Sequence, residues 1–297
     1  MTSDARFAGV ELGGTKSIAV LSIGDMIIDR RRVPTTDPAT TLAALREILD
    51  EWQAQGPLSG LGIASFGPIQ IDRAGSGFGN MLPTPKPGWT GAPVAATLVD
   101  GLSCPWTIDT DVNGAALAEY RWGAGQDIDS LCYVTIGTGL GGGMLIDGKP
   151  VHGAMHPEIG HLHLRRVSDD PFAGACPFHG DCIEGLVCGP ALHARFGMDP
   201  ALVPDDHPVW DHVAADIAEL CAAILLTISA RRILFGGTVP LSRAFLLPSA
   251  RRRVVERFED YLPFLDEASA KTIIRPAGLG AEAGPLGAIA LAQAASI

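Results

Sequence analysis

FAGVELGGTKSIAVLS, the stretch at residues 7–22, decides the fold because two apolar runs flank one glycine-rich turn. Short apolar runs bounded by glycine predict β-strands, here Phe7–Leu12 and Ser17–Ser22, joined by a tight hairpin. A third strand, Met26–Val33, is predicted after the turn at Gly24-Asp25. The start of the chain therefore predicts an antiparallel meander with glycines at its first turn.

A second stretch, LCYVTIGTGLGGGMLI at residues 131–146, has the same plan. We expect strands at Leu131–Ile136 and Gly143–Ile146 around a turn that spans Gly137–Gly143. The two stretches together predict a duplicated strand–glycine–strand unit.

The rest of the chain alternates helical and strand patterns, which is typical of an α/β protein. The further predicted strands are Leu61–Ser65, Trp106–Asp109, Arg232–Phe235 and Thr272–Arg275. The predicted helices are Ala39–Gln55, Asn113–Gly123, Pro190–Phe196, His207–Ser229, Leu241–Phe258 and Ala283–Ala295. Residues 66–93 are rich in glycine and proline and predict a long loop, and loops of that length are usually functional.

Composition excludes several classes of protein. The chain has 297 residues, 47% of them hydrophobic, and a formal net charge of −11. That length supports a large core in two lobes, and the acidic charge argues against nucleic acid as a partner. No stretch reads as a membrane span or a signal segment, and six cysteines are too few for a disulfide scaffold. We therefore expect a cytoplasmic protein that binds no membrane.

A metal-site spacing follows the second glycine turn. His161 precedes the run Cys176-Pro-Phe-His179-Gly-Asp-Cys182, and two thiols with two imidazoles form the ligand set of a structural zinc site. A disulfide between Cys176 and Cys182, or a chance cluster, is the alternative. Glu158 and Glu184 place carboxylates beside these residues, so the segment could hold a polar substrate.

Three glycine turns follow apolar strands, and glycine lets backbone N–H groups approach an anion. They are Gly13–Lys16, Gly137–Gly143 and Gly236-Gly237-Thr238. Each turn alone could be an ordinary tight turn. Together they predict two loops that hold a polyphosphate and a third that lies against a nucleoside.

Asp109 and Asp111 lie where a predicted strand ends and a predicted helix begins. Either carboxylate could be a helix N-cap. The carboxyl end of a strand is also where α/β proteins bind ligands, and an aspartate there can accept a hydroxyl proton during phosphoryl transfer. His152 and His163, near the metal segment, are predicted to be ordinary solvent or core histidines.

These motifs together resemble the ROK family of sugar kinases, and within it the bacterial zinc-containing fructokinases. The resemblance covers nearly the whole chain. It rests on Glu11-Leu-Gly-Gly-Thr-Lys16, Asp111-Val-Asn113, Gly137-Thr-Gly139, His156-Pro-Glu-Ile-Gly-His161, the zinc segment through Glu184, and Phe235-Gly-Gly237. The run Thr84-Pro-Lys-Pro-Gly-Trp89 and the spacing Cys-x₂-His-x₂-Cys favour the fructokinase branch.

The resemblance implies a two-lobed α/β fold of the actin/hexokinase-like (ribonuclease H-like) ATPases with a small structural zinc site. The smaller lobe would comprise residues 1–110 and 280–297, and the larger lobe, residues 111–279, would carry zinc. The implied reaction is phosphorylation of the 6-hydroxyl of fructose by ATP, with Mg²⁺ accompanying ATP. A homodimer is also implied.

The resemblance also implies roles for individual residues. Asp111 would be the catalytic base, and Glu11 a second-shell contact to magnesium. The sugar would contact Asn80, Glu158, His161 and Glu184, and zinc would be held by His161, Cys176, His179 and Cys182. ATP would contact Gly13, Gly14, Thr15, Lys16, Gly137, Thr138, Gly139, Pro190, Gly236, Gly237, Thr238, Val239 and Pro240.

Two alternatives stay open at the level of sequence. Met81-Leu82-Pro83 stands where fructokinases more often have small polar residues, so the substrate could be mannose, glucose or an N-acetylated aminosugar. A non-catalytic sugar-responsive regulator is the second alternative. ROK repressors carry a helix-turn-helix segment before the first glycine turn, and only ten residues precede Glu11 here.

Overall fold

The computed structural model describes residues 4–296, which form two compact α/β units. Unit 1 comprises Met1–Trp122, Lys149–Pro157 and Ala281–Ile297, of which residues 4–122, 149–157 and 281–296 are described. Unit 2 comprises Gly123–Gly148 and Glu158–Gly280. Unit 1 is larger than the predicted lobe of residues 1–110 and 280–297, because it also includes the helix that begins at Asp111 and the segment Lys149–Pro157.

The strands are β1 Arg6–Leu12, β2 Lys16–Ile23, β3 Met26–Pro34, β4 Gly60–Ser65, β5 Trp106–Thr110, β6 Ser130–Ile136, β7 Leu140–Ile146, β8 Lys149–Pro150, β9 Arg232–Gly236 and β10 Ile274–Pro276. The α-helices are α1 Pro38–Ala54, α2 Val94–Val99, α3 Asp111–Trp122, α4 Ile183–Val187, α5 Gly189–Phe196, α6 Val209–Ile228, α7 Thr238–Ser242, α8 Leu246–Phe258, α9 Glu267–Ile273 and α10 Ala283–Ala295. Among residues 4–296, none of these helices combines the length and apolar character needed to cross a bilayer.

The two units repeat one sheet topology, as the paired glycine hairpins predict. In unit 1 the strand order is β3-β2-β1-β4-β5, in which β1 pairs antiparallel with β2 and parallel with β4. In unit 2 the strands run β10-β9-β6-β7, in which β6 pairs antiparallel with β7 and parallel with β9. The duplicated unit is therefore confirmed, with β1–β2–β4 corresponding to β6–β7–β9.

Helix α3 belongs to unit 1 because it packs on α10 through glycine. A Cβ atom on Gly287 of α10 would lie 2.4 Å from the backbone carbon of Gly114 in α3. On another side, α10 presses against β4, where a Cβ on Gly62 would lie 2.0 Å from the carbonyl oxygen of Ala288. The opposite face of the sheet is covered by α1 and α2 around the fully buried Trp52 and Trp89.

We expect Gly62→Ala to destabilise the protein strongly. The added methyl group would overlap the backbone of α10 at Ala288 and also at Ala292, whose amide nitrogen lies 2.4 Å away. A packed helix backbone cannot yield as a flexible side chain does, so we expect a loss of about 3 kcal/mol in the free energy of unfolding, measured by urea denaturation. Gly153→Ala is the matched control, because Gly153 is exposed and its Cβ would meet only one atom, at 4.0 Å. Equal stability of the two variants would contradict this packing argument.

Three predicted elements were wrong in part. Strand β7 begins at Leu140, so Gly141, Gly142 and Gly143 lie in the ladder opposite β6 and only residues 137–139 form the turn. The predicted helix Leu241–Phe258 is divided into α7 and α8, because Pro248 is tolerated in the first turn of a helix but not in its interior. The predicted strand Thr272–Arg275 is divided between two elements, because Thr272 and Ile273 end α9, which a capping box at Asp266 starts, and Ile274 and Arg275 belong to β10.

Candidate active site

The turn Gly13–Lys16 links β1 to β2 in unit 1 and is open to solvent. Gly14, Thr15 and Lys16 are exposed, and a Cβ atom on Gly14 would meet nothing within 4 Å. Gly13 is different, because its Cβ would lie 2.6 Å from the carbonyl oxygen of Lys16. An exposed glycine backbone with room around it is what the predicted anion-binding turn requires.

Glu11 lies near the end of β1, below this turn. Its Oε2 atom is buried and has no hydrogen-bond partner. The carboxylate lies against the start of α10, where a Cβ on Gly284 would come within 2.1 Å of Oε1. Burial raises the pKa of Glu11, and the charges of Lys16 and Arg30 partly oppose that rise. Glu11 is therefore a buried carboxylate in need of a donor or a cation.

The corner between β5 and α3 holds two aspartates in different environments. Asp109 is buried, and its Oδ1 atom accepts from the Thr110 N–H group at 2.7 Å and from Nδ2 of Asn113 at 2.8 Å. Its Oδ2 atom lies 2.9 Å from Nε2 of His152, and this hydrogen bond raises the pKa of that histidine. Asp109 is thus engaged in holding the corner together, and His152 has a specific partner that the sequence did not predict.

Asp111 is only half-buried and is the first residue of α3. Its Oδ1 atom accepts from the N–H group of Val112 at 2.9 Å. A carboxylate in the first turn of a helix is stabilised as an anion by the helix dipole. Of the two aspartates, Asp111 is the more accessible and is the better placed to accept a proton from a ligand.

Asn80 lies within the long loop at residues 66–93, which is ordered by its own contacts. An isolated β-bridge pairs Ile69 with Met81, and the Asn80 N–H group donates to the carbonyl of Gly77 at 2.9 Å. Trp89 is fully buried, and its indole N–H group donates to the carbonyl of Thr36 at 2.8 Å. The loop therefore holds Asn80 in a defined backbone conformation.

The four predicted zinc ligands come together in unit 2. The ligand atoms of His161, Cys176, His179 and Cys182 all lie within 4.8 Å of one another. Both cysteines are buried, and all six cysteines of the described chain are free, so the alternative disulfide is not formed.

The distances in this cluster fit a tetrahedral metal ion. Cys176 Sγ lies 3.8 Å from Nδ1 of His179, and Cys182 Sγ lies 3.7 Å from Nδ1 of His161. Zinc bonds of ~2.3 Å to sulfur and ~2.0 Å to nitrogen give sulfur–nitrogen edges of about 3.5 Å in a tetrahedron. The two thiol and two imidazole groups therefore match the ligand set of a four-coordinate structural zinc ion, and these two sulfur–nitrogen distances match its geometry.

Two carboxylates lie beside the cluster. Glu184, in the first turn of α4, accepts from the Leu140 N–H group at 2.9 Å through Oε2. Glu158 precedes the short 3₁₀ turn Ile159–His161, and partial desolvation of its carboxyl group together with the charge of Glu184 raises the pKa of Glu158 to about 7. Glu158, His161 and Glu184, three of the four predicted sugar ligands, thus lie on the elements that the zinc ligands hold together.

The predicted nucleotide residues of unit 2 also converge. The Gly189 N–H group donates to the carbonyl of Gly137 at 2.7 Å, which brings Pro190 next to the turn Gly137–Gly139. A Cβ on Gly137 would lie 3.8 Å from Oγ1 of Thr238, so the start of α7 borders the same turn. Gly237 has a φ of +85° and a Cβ there would lie 2.4 Å from the carbonyl oxygen of Ile136, so only glycine fits. Val239 and Pro240, which follow in α7, are buried.

Two features of the structure were missed from the sequence. Arg195 is buried and forms ion pairs with Asp170 and Asp216, and it donates to the carbonyl of Leu186 in α4. Lys86 of the long loop reaches the turn Gly13–Lys16 from 72 residues away. Nothing in the sequence pattern indicates the Arg195 network. The scarcity of lysine, only four in the chain, was a usable signal for Lys86.

Comparison with known proteins gives one consistent result. The ROK family profile matches residues 7–295. The chain is 41% identical over 305 aligned positions to a fructokinase of Zymomonas mobilis, covering 99% of both chains. It is 35% identical to a fructokinase of Pediococcus pentosaceus, covering 96% of this chain and 97% of the relative.

A solved structure, the ROK hexokinase of Thermus thermophilus, is similar with a TM-score of 0.76 and 27% identity, covering 97% of this chain and 98% of that one. The predicted two-lobed hexokinase-like α/β fold is thereby confirmed. The chain belongs to the ROK family.

Proposed function

We propose that this ROK-family hexose kinase is an ATP-dependent fructokinase, which transfers the γ-phosphoryl group of ATP to the 6-hydroxyl of D-fructose. The observation that carries the proposal is the similarity to fructokinases along almost the entire chain. The three-residue spacing between each cysteine and His179 supports it, because this spacing is the one that the resemblance associates with the fructokinase branch.

In the proposed reaction Asp111 is the general base. The O6–H proton of fructose passes to the Asp111 carboxylate while O6 forms a bond to the γ-phosphorus. The bond between that phosphorus and the β–γ bridging oxygen breaks, and ADP leaves with the bonding electron pair. Phosphoryl transfer depends mainly on positioning and on charge stabilisation, so an accessible carboxylate of ordinary strength suffices. The half-buried position of Asp111, next to the fully engaged Asp109, supports this role.

Sugar binding is assigned to Glu158, His161, Glu184 and Asn80. Carboxylates and an imidazole are suitable partners for several sugar hydroxyls at once. The hydrogen bond from Leu140 orients the Glu184 carboxylate, and the zinc ligands fix the segment that carries His161. Zinc is structural in this proposal, since four protein ligands leave no position for substrate.

ATP binding is assigned to the glycine turns and to the start of α7. The open turn Gly13–Lys16 offers backbone N–H groups to phosphate oxygens. Magnesium, bound with ATP, supplies charge neutralisation, and the unpartnered Oε2 atom of Glu11 suits a hydrogen bond to one of its waters. The homodimer also stays a prediction.

The test is ADP release by the purified, zinc-replete protein with Mg-ATP and a panel of fructose, mannose, glucose and N-acetylmannosamine. We expect kcat/KM for fructose to exceed that for each other sugar by about tenfold or more, because unpaired polar groups in a sugar site penalise the wrong isomer. Phosphorus NMR of the product should identify fructose 6-phosphate. Faster turnover of another sugar would change the assigned substrate but not the enzyme class. If folded protein releases ADP with none of these sugars, the proposed function is contradicted.

A further inference from the structure

Lys86 is the one long side chain of the loop at residues 66–93 that reaches the turn Gly13–Lys16 by a hydrogen bond. Its Nζ atom donates to the carbonyl oxygen of Gly14 at 2.6 Å. The stem passes the ring of Phe66, with Nζ 6.0 Å from the ring centroid. A positive charge is thus held at the edge of the turn that is assigned to phosphate.

The backbone around Lys86 is restrained, so the position of the charge is defined. Prolines precede and follow it at residues 85 and 87, and proline fixes its own φ angle and restricts the residue before it. The Trp89 N–H group donates to the carbonyl of Lys86 at 3.2 Å, and the indole of Trp89 is fully buried. Lys86 is therefore presented by a rigid corner.

The ammonium group of Lys86 retains donor capacity. An ammonium group has three N–H donors, and the Gly14 carbonyl accepts one. Among residues 4–296, neither Lys86 nor Lys16 forms an ion pair with a carboxylate. The space above Gly14 is open, since a Cβ there would meet nothing within 4 Å. A tetrahedral anion could therefore approach Nζ from the side of the turn.

The distribution of lysine in the chain supports a specific role. The protein has 22 lysine and arginine residues, of which only four are lysines; one of the four ends this turn and a second contacts it. Lysine is a compact point charge that suits phosphate oxygens, whereas arginine, used elsewhere in this chain, prefers planar bidentate partners. In a chain of net charge −11, two lysines at one exposed glycine turn favour an anion there.

We propose that Lys86 is a catalytic residue that binds the terminal phosphate oxygens of ATP and stabilises the charge on them during transfer. This inference rests on the proposed function and gives a role to Lys86, which the run Thr84–Trp89 contains but to which the sequence analysis assigned none. One N–H group of Lys86 continues to donate to the Gly14 carbonyl, and the other two donate to phosphate oxygens. Lys86 thereby closes the turn Gly13–Lys16 over the phosphates.

The test compares Lys86→Met, which keeps the length of the side chain but removes its charge, with Lys271→Met, a matched change at an exposed lysine of α9. We expect Lys86→Met to lower kcat/KM for ATP by about 100-fold, with KM for the sugar changed by less than about threefold. Lys271→Met should match the wild type. Lys86→Arg should recover part of the loss, because it restores charge without the compact geometry.

Equilibrium binding separates this role from a merely structural tether. Lys86→Met should weaken ATP binding, measured by calorimetry, much more than adenosine binding. Equal weakening for ATP and adenosine, or unchanged ATP affinity, would overturn the proposal. If the wild type turns over no sugar, the proposed function fails. The effect of Lys86→Met on ATP binding relative to adenosine binding still tests whether Lys86 binds phosphate. If the wild type binds no ATP either, the Lys86 proposal fails with it. Thermal unfolding of each variant identifies any loss that is due to misfolding.

Discussion

Asp111→Asn is expected to lower kcat by about 10³-fold, or roughly 4 kcal/mol of transition-state stabilisation, while leaving sugar and nucleotide binding nearly unchanged. The amide keeps the shape of the side chain but cannot accept the hydroxyl proton. The half-buried position of Asp111 in the first turn of α3 makes a large structural effect unexpected. Single-turnover kinetics with fructose and Mg-ATP, together with calorimetric titration of each ligand, would measure both quantities.

Asp37→Asn is the matched control for this prediction. Asp37 also starts a helix, α1, and its Oδ1 atom accepts from the Thr40 N–H group at 2.9 Å. Both variants remove a carboxylate from a helix start and should each cost at most about 1 kcal/mol of stability. Only Asp111→Asn should lower kcat by about 10³-fold. A kcat within tenfold of the wild type would show that Asp111 is not the general base. A tenfold change corresponds to about 1.4 kcal/mol of activation free energy, which is less than a general base contributes.

The sequence predicted the parts of this protein that depend on local chemistry. Glycine turns after apolar strands revealed both hairpins, and the parallel strands β4 and β9 complete the same plan in each unit. The metal spacing was equally informative, because Cys-x₂-His-x₂-Cys places three metal-ligating side chains within seven residues. The final helix, Ala283–Ala295, was predicted with its observed bounds.

The errors arose where distant residues decide the outcome. Gly141–Gly143 looks like a turn in sequence but lies in β7, because the side chain of Ile159 occupies the space beside Gly142, 2.1 Å from where its Cβ would be. His152 looked like an ordinary histidine, yet Asp109 binds it from 43 residues away. Partners that fold together from distant segments leave no periodicity or spacing to detect.

The assignment of α3 to unit 1 has the same origin. The contact of Gly114 with Gly287 joins helices that are far apart in sequence, and each glycine alone reads as a weak point of its helix. Only the folded chain shows that the two glycines face each other, so that the helices can pack closely because neither residue has a side chain. Asp111 therefore begins a helix of unit 1, whereas Glu158, His161 and Glu184 belong to unit 2.

Loss of the zinc ligands is expected to lower stability and activity together. Cys182 is fully buried and immediately precedes α4, the helix that carries Glu184. A Cβ on Gly185 would lie 2.1 Å from the carbonyl oxygen of Gly180 and 2.7 Å from the amide nitrogen of Cys176, so α4 and the metal loop interlock. Cys182→Ser should therefore reduce the free energy of unfolding by about 3 kcal/mol or more and displace Glu184, with a fall in kcat/KM for the sugar.

Cys104→Ser provides the matched control, because Cys104 is a half-buried free cysteine in unit 1. It should keep one zinc ion per chain by elemental analysis and retain wild-type activity, whereas Cys182→Ser should lose the metal. Strong chelation of the wild type at raised temperature should reproduce the Cys182→Ser phenotype, since the four ligands must hold the metal for the loop to keep its shape. Wild-type protein that contains no zinc, yet is stable and active, would show that packing alone positions Glu158, His161 and Glu184.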